Sequence, residues 1–483
     1  MSVREELREI FDADHLIGDP GLLEQVSRNS SFITAGVPEC LVKPREVQEI
    51  QSLVRWANES RVPLTPVSSG GEHYRGASTP IFGGVVVDLS AMNRIIDIDR
   101  NYRVAMVEPG VTYSQLKPEL ENAGLRLPMP LLPRKSKSVI GSVLEREPII
   151  IPKYHVDMSA PLLCAEVVFG SGELFRTGEA AGPGSLDEQR RAKRKQIWDS
   201  GPGQISFSRL LQAAQGSLGI VTWATLRCEV MPTLQDFLFI SAYDVDAFSD
   251  FVYRIMRLKL GDEFLILNSM NFASIVNGGI DVDQLRRILP PWVLVLGVSG
   301  CEIMPEERIE YQKEDILNTA RQFGLKPDSA LAGIDAQKFF KLLEEPTESY
   351  WKTKVKGGCC DIMFLTTLDR VKSFVKLIYE ECNEHAYDIR DLGIYVQPIQ
   401  QGRSCHCEFN LIYDPDDVVE REKVEVLFNA ASEKIMNSGA FFSRPYGRWA
   451  RMAYNRDAAS REAVKRLKGI FDPNDILNPG KLC

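Results

Sequence analysis

The segment Arg403-Ser404-Cys405-His406-Cys407-Glu408-Phe409-Asn410 places an imidazole, a carboxylate and a carboxamide at every second position. Side chains alternate faces along an extended strand. His406, Glu408 and Asn410 therefore share one face, and Cys407, Phe409 and Leu411 share the other. Three polar groups on one face predict a wet cavity or an active site, unless the strand is a solvated sheet edge. Farther on stands Arg444. Its planar fork of donors suits a carboxylate or a phenolate, unless it pairs with a structural carboxylate.

A second kind of signal lies in loops. Pro66-Val67-Ser68-Ser69-Gly70-Gly71-Glu72-His73-Tyr74-Arg75-Gly76-Ala77-Ser78 packs small residues behind a strand-like run. Such a loop can aim successive backbone N–H groups at one spot and hold a pyrophosphate. Four more segments follow: Glu108-Pro109-Gly110-Val111-Thr112, Ser138-Val139-Ile140-Gly141-Ser142-Val143-Leu144-Glu145, Gln215-Gly216-Ser217-Leu218-Gly219-Ile220-Val221-Thr222, and the tail 471–481. Each alone reads as a turn between strands. No G-x-G-x-x-G follows a strand, and no P-loop, G-x-S-x-G or H-E-x-x-H is present, so a Rossmann cofactor site is not supported. The Cys359-Cys360 pair and the Cys405-His406-Cys407 triplet lack zinc or iron–sulfur spacing.

The elements that must position these residues are legible in outline. Apolar spacing predicts helices over 44–59, with Pro44 in the first turn, and over 113–123. Strands are predicted over 62–67, 84–89, 95–98, 104–107 and 219–228, with a hairpin over 162–169 and 173–176. Residues 177–207 read as a charged surface excursion. The shift at Met231-Pro232 marks a domain boundary, and helix-like and strand-like segments alternate from 234 to about 438. A chain of 483 residues with 44% apolar and 25% charged residues predicts two or three globular domains. A net charge of −9 argues against a nucleic-acid partner. No apolar run is long enough to cross a bilayer, and the first residues lack a secretory pattern. Ten scattered cysteines are expected to be reduced thiols of a cytoplasmic protein.

Taken in order, the five segments resemble the FAD-linked oxidase superfamily typified by vanillyl-alcohol oxidase, p-cresol methylhydroxylase and glycolate or D-lactate dehydrogenases. The resemblance is strong over 40–230 and 465–483 and weak between. It implies an α+β fold: a two-subdomain FAD-binding domain of the p-cresol methylhydroxylase type over 1–235, an α+β substrate (cap) domain over 236–440, and a segment 441–483 that returns to the first. It implies an FAD held by Pro66, Val67, Ser68, Ser69, Gly70, Gly71, Glu72, His73 and Tyr74 at the pyrophosphate. Pro109, Gly110, Ser138, Val139, Gly141, Ser142 and Leu144 would follow the flavin. Gly216, Gly219, Ile220 and Val221 would hold the adenosine half, with Asn478 and Lys481 closing the tail.

The departures from the family also carry expectations. The hydroxy-acid branch has a His-x-Gly-Asp-Gly-Asn-x-His metal motif and a later Glu-His-Gly. Residues 403–410 and Ser443-Arg444-Pro445-Tyr446-Gly447 replace them, so no catalytic metal is expected. Where the phenol-oxidising branch has Asp then Gly-x-Gly, this chain has Glu145 then Arg146-Glu147-Pro148. The resemblance implies hydride transfer to the flavin N5, with Glu145 or His406 taking a proton. Arg444 and Tyr446, with Tyr74, would hold a substrate anion, beside Glu408 and Asn410. The substrate would be a 4-substituted phenol or aromatic alcohol, or a 2-hydroxy acid. A dehydrogenase is expected rather than an oxidase, assembled as a homo-oligomer. Its acceptor would be a protein or a quinone, with 190–195 as a docking surface. The alternative is a flavin electron-relay subunit of a larger complex. His406 and Cys407 compete for the position of a flavin-linked residue, and His73 fits no better, so FAD is expected to be free of a covalent bond.

Overall fold

The computed structural model describes residues 2–72, 74–276 and 281–482. Its first sheet contains β1 (Leu16–Ile17), β2 (Cys40–Val42), β3 (Leu64–Val67) and β4 (Val85–Asp88), in the order β1-β2-β4-β3. β2 and β3 run parallel to β4. Helix α1 (Val47–Ser60) lays Ile50, Leu53, Val54 and Ala57 on this sheet. It starts at Val47 rather than in a turn containing Pro44. The reason is local: Glu46 and Glu49 cap each other's backbone amides, and this fixes the first turn.

The second sheet is antiparallel. It joins β5 (Ile95–Asp99), β6 (Val104–Val107), β7 (Leu162–Phe169), β8 (Leu174–Arg176) and β9 (Gly219–Arg227) in the order β5-β6-β9-β7-β8. Helices α2 (Tyr113–Asn122) and α3 (Val139–Leu144) cover one face through Tyr113, Leu116, Leu120, Val139 and Ile140. Residues 177–207 pack onto this unit rather than standing free. Gln189 and Gln196 are buried and hydrogen-bonded to each other, and Lys195 pairs with Asp97 and Asp99 of β5. Part of the charge that the sequence offers to a partner is thus neutralised within the chain.

A seven-stranded sheet follows. It contains β10 (Leu234–Ala242), β11 (Phe264–Asn268), β12 (Trp292–Gly300), β13 (Pro327–Asp328), β14 (Gly358–Thr366), β15 (Leu392–Ile399) and β16 (Ser404–Tyr413). The order is β13-β10-β12-β11-β15-β16-β14. Alternate residues of β10 to β12 enter two cores. Leu238, Ile240, Phe264, Ile266 and Leu294 join one, and Phe237, Phe239, Leu265, Leu267 and Val293 join the other. A sheet covered on both faces gives continuous apolar runs, so no period of two marks these strands. β16 lies between β15 and β14, so it is not an edge.

The chain's last stretch returns to the first sheet. Leu64 donates its N–H to the Ile476 carbonyl (2.7 Å) and accepts from the Asn478 N–H (2.8 Å). The Asp472 carboxylate accepts from the amides of Ile476 and Leu477. Among the described residues, no helix is long and apolar enough to cross a membrane.

Candidate active site

A cavity of about 1580 Å3, partly open to solvent, lies among the three sheets. One wall comes from the first two sheets and their loops: Pro66, Val67, Ser68, Ser69, Glu72, Tyr74, Pro109, Gly141, Leu144, Gly216, Gly219, Ile220 and Val221. All of these are sequence candidates. Gly216 has φ +70°, and a Cβ there would stand 2.4 Å from Pro66 Cγ, so glycine lets two wall segments meet. Ser68, Ser69, Gly141, Gly216 and Gly219 give this wall a run of short side chains, which allows the close approach of a cofactor.

Other candidates lie behind that wall and shape it. The buried Lys481 ammonium donates to the carbonyls of Gly76 and Thr79 (2.8 Å to Thr79), and burial lowers it to about 7. Asn478 Nδ2 donates to the carbonyls of Ala77 and Gln215. Both residues brace the loop rather than face the cavity. The Gly70 N–H is taken by the Ser136 carbonyl, and Gly71 packs against Arg134 and Glu348. Gly110 packs against backbone carbonyls of residues 89, 90 and 92. Ser138 Oγ donates to the Pro109 carbonyl and accepts from the Gly141 N–H. Val139 is in the core, and Ser142 donates to Glu147. His73 lies outside the described residues.

The opposite wall carries Tyr350, Trp351, Lys352, Tyr395, Glu408 and Tyr446. His406, Glu408 and Asn410 do share one face, with Tyr395 and Gln397 of β15 and Asp361 of β14. Cys405, Cys407 and Phe409 point into the core on the other side. The polar face is dry rather than solvated: His406, Glu408 and Asn410 are all buried. Lys352 reaches across it and donates to Asp361 (2.7 Å) and Glu408. Asn410 Nδ2 donates to Asp361 (2.6 Å) and Glu408 (2.7 Å), and its carbonyl accepts from Asn271 (2.7 Å). Asn271 fits only because Gly393 lies beneath it, where a Cβ would come within 2.0 Å.

His406 is held at both nitrogens. Nδ1 faces Arg444 Nη2 at 3.3 Å, and Nε2 faces Glu408 Oε2 at 3.1 Å. A guanidinium can only donate, so Nδ1 accepts and the proton sits on Nε2, aimed at Glu408. Burial lowers His406 to about 4, so the ring is neutral. Neither His406 nor Asn410 lines the cavity; both support Glu408 from behind. Burial alone would raise Glu408. The Lys352 ammonium and the His406 hydrogen bond outweigh it and hold the carboxyl well below its usual range.

A second ionic cluster completes this end. Arg75 donates to Glu145 (3.1 Å) and Glu147 (2.5 Å), and Lys137 donates to Glu145 (2.8 Å). Burial works against ionising Glu147, but Lys137, Arg75 and the Ser142 hydroxyl hold it far down. Sequence reasoning singled out Glu145 but missed Lys137, Glu147, Lys352 and Asp361, and left Arg75 as a loop residue. The Glu145-Arg146-Glu147 alternation was the available signal. Lys352, beside Tyr350-Trp351, gave none.

Arg444 is buried, and among the described residues no carboxylate lies within ion-pair distance of it; its Nη1 has no hydrogen-bond partner. The part-buried Arg146, at φ +53°, donates to the Ser443 carbonyl, and the Arg444 charge helps to lower it. Arg75, Lys137 and Lys352 are thus paired with Glu145, Glu147, Asp361 and Glu408, while the buried Arg444 has no such partner among the described residues. The Tyr74 and Tyr350 rings pack at 4.6 Å, and the Tyr74 hydroxyl donates to Glu72. Burial raises Tyr350, Tyr395 and Tyr446, which leaves them neutral.

Residues 38–178 match the FAD binding domain family, and residues 306–482 match the C-terminal domain of FAD linked oxidases. D-2-hydroxyglutarate dehydrogenase of Stutzerimonas stutzeri (strain A1501) is 25% identical over 490 residues, covering 99% of this chain and 98% of that protein. Glycolate oxidase subunit GlcD of Bacillus subtilis (strain 168) is 26% identical over 458 residues, covering 92% and 89%. Substrate-bound p-cresol methylhydroxylase superposes with a TM-score of 0.83 at 18% identity, covering 99% of this chain and 96% of that one. 4-Ethylphenol oxidase from Gulosibacter chungangensis superposes with 0.82 at 20% identity, with the same coverage. The fold is therefore the expected α+β, p-cresol methylhydroxylase type.

Proposed function

We propose that this chain, which belongs to the FAD-linked oxidases and is an FAD-dependent oxidoreductase, dehydrogenates a small 2-hydroxy acid. The observation that carries the reading is the buried Arg444 guanidinium, which has no carboxylate partner among the described residues and stands behind the charged wall of the cavity. A substrate carboxylate supplies the anion that Arg444 lacks, since a buried charge is stable only when paired. Relatives that span the chain support it, because their names are those of 2-hydroxy acid dehydrogenases. FAD bound along the glycine-lined wall supplies the hydride acceptor.

The chain's residues divide the remaining work. Lys352 and Arg75, both in the cavity wall, orient the substrate carboxylate, with Arg444 adding positive potential from behind. Glu408 accepts the substrate's hydroxyl proton. In the free protein it is a weak base. A bound carboxylate adds a like charge and moves it upward, towards the range where it can take a proton. His406 keeps its Nε2–H on Glu408, and Arg444 fixes that tautomer, so both are positioning residues. Glu145, bound by Arg75 and Lys137, is the other carboxylate in the cavity wall. Electrons then leave to a protein or a quinone.

A second reading, a 4-substituted phenol or aromatic alcohol, is favoured by Tyr74, Tyr350, Tyr395 and Tyr446 around the cavity. Anaerobic addition of lactate, glycolate, 2-hydroxyglutarate and 4-alkylphenols to the FAD-loaded chain separates the two. Bleaching by hydroxy acids with inert phenols supports the proposal, and bleaching by phenols alone overturns it. Bleaching only with a partner protein present indicates the relay subunit.

A further inference from the structure

A second cavity, of about 790 Å3 and partly open to solvent, shares Tyr74, Arg75 and Tyr446 with the first. The two cavities adjoin at these three side chains. The second cavity also touches Asp361, whose carboxylate binds Lys352 on the other side. Its remaining walls include Phe32, Ile33, Met363, Phe428 and Trp449. The rings are mutually packed: Phe428 stacks on Trp449 at 5.3 Å, and Phe32 lies 6.1 Å from Phe428. Phe32 has φ +56°, a backbone that a bulky residue keeps only where its surroundings hold it.

Where the cavities adjoin, Arg75 binds Glu145 and Glu147, and Asp361 binds Lys352. The cavity is also lined by Glu425 and Arg448, and its apolar surface comes from the rings of Phe32, Phe428 and Trp449 with Ile33 and Met363. It adjoins the end of the first cavity where the substrate carboxylate and carbinol are assigned above.

We propose that this second cavity is an outer substrate subsite that receives a bulky aryl or alkyl side group carried by the 2-hydroxy acid. The inference rests on the 2-hydroxy-acid reading and extends it. The preferred substrates are larger than glycolate or lactate, and selectivity comes from the aromatic pocket rather than from the charged end. Each methylene that leaves water for the pocket should raise kcat/KM about 4-fold.

The test is kcat/KM for flavin reduction with glycolate, lactate, 2-hydroxyhexanoate, 2-hydroxyoctanoate and 3-phenyllactate. It is made on the wild-type protein, on Asn429→Trp, which narrows the cavity from α4 (Val418–Asn437), and on Phe428→Ala, which widens it. The wild type should favour the larger acids progressively. Asn429→Trp should cut the ratio of 3-phenyllactate to lactate at least tenfold with FAD content retained. Phe428→Ala should shift the optimum, and it serves if the tryptophan variant does not fold. Lactate used as well as 3-phenyllactate, or a ratio unmoved in an FAD-retaining variant, overturns the subsite and leaves the 2-hydroxy-acid reading intact. Failure of every hydroxy acid to bleach the flavin overturns that reading, and the subsite with it.

Discussion

Lys352→Met keeps most of the side chain's volume and removes the charge that Glu408 and Asp361 share. Lys352 is buried, and its ammonium is raised far above its usual range because the two carboxylates outweigh burial. Removing one partner of a buried ion pair costs about 3–5 kcal/mol. At about 2–4 °C per kcal/mol for a domain near 200 residues, that is a fall of about 6–20 °C at pH 8. The pH trend should change as well. In the wild type the Glu408 carboxyl is depressed, so its contribution is present above the unfolded value and is lost only as pH falls through the folded one. The Glu408 contribution should be nearly flat from pH 8 to pH 5, while the buried, neutral His406 lowers melting below about pH 6.5 in wild type and variant alike. In the variant, burial dominates and Glu408 is raised. Stability is then fullest below the unfolded value and is lost as pH rises through the folded one. Scanning calorimetry from pH 5 to pH 8 should show a deficit that shrinks towards pH 5. A variant that melts within about 2 °C of the wild type at pH 8, or a deficit independent of pH, would refute the reasoning.

Glu408→Gln should lower kcat roughly 10²–10⁴-fold while FAD stays bound; near-normal turnover would move the proton acceptor elsewhere. Gly216→Val should abolish FAD uptake, measured by absorbance after reconstitution, since its Cβ meets Pro66 and its φ is positive; a yellow variant contradicts that. Arg444→Ala should reduce kcat/KM about tenfold or more and alter its pH profile, with FAD retained, because a charge-assisted hydrogen bond at a buried site is worth about 1.5–3 kcal/mol. Unchanged kinetics would leave Arg444 a structural role. Acid precipitation should release the yellow colour to the supernatant: His406 is enclosed by Glu408 and Arg444, and Cys407 points into the core. A coloured pellet would show a covalent link.

The cofactor half was legible because backbone geometry writes itself into local sequence. Glycines at 141, 216 and 219 and the small residues of 66–78 stand where the chain must turn or approach closely. The face shared by His406, Glu408 and Asn410 followed from the two-residue period of a strand. Other features are tertiary. That this face is dry depends on Lys352, which lies 56 positions from Glu408 along the chain. That His406 is a donor to Glu408 depends on Arg444, 38 positions away. Neither pairing leaves a spacing to read. The seven-stranded sheet was obscure for another reason: its strands are apolar on both faces, so periodicity does not separate them from buried helices.

The central claim is hydride transfer from the carbinol carbon of a 2-hydroxy acid, and its most direct measurement is anaerobic stopped-flow reduction of the FAD-loaded chain. The substrate is 3-phenyllactate carrying hydrogen or deuterium at C2. Flavin bleaching that is complete, and several-fold slower with deuterium, is the predicted result. A flavin that stays oxidised with every hydroxy acid but bleaches with a 4-alkylphenol would contradict the account.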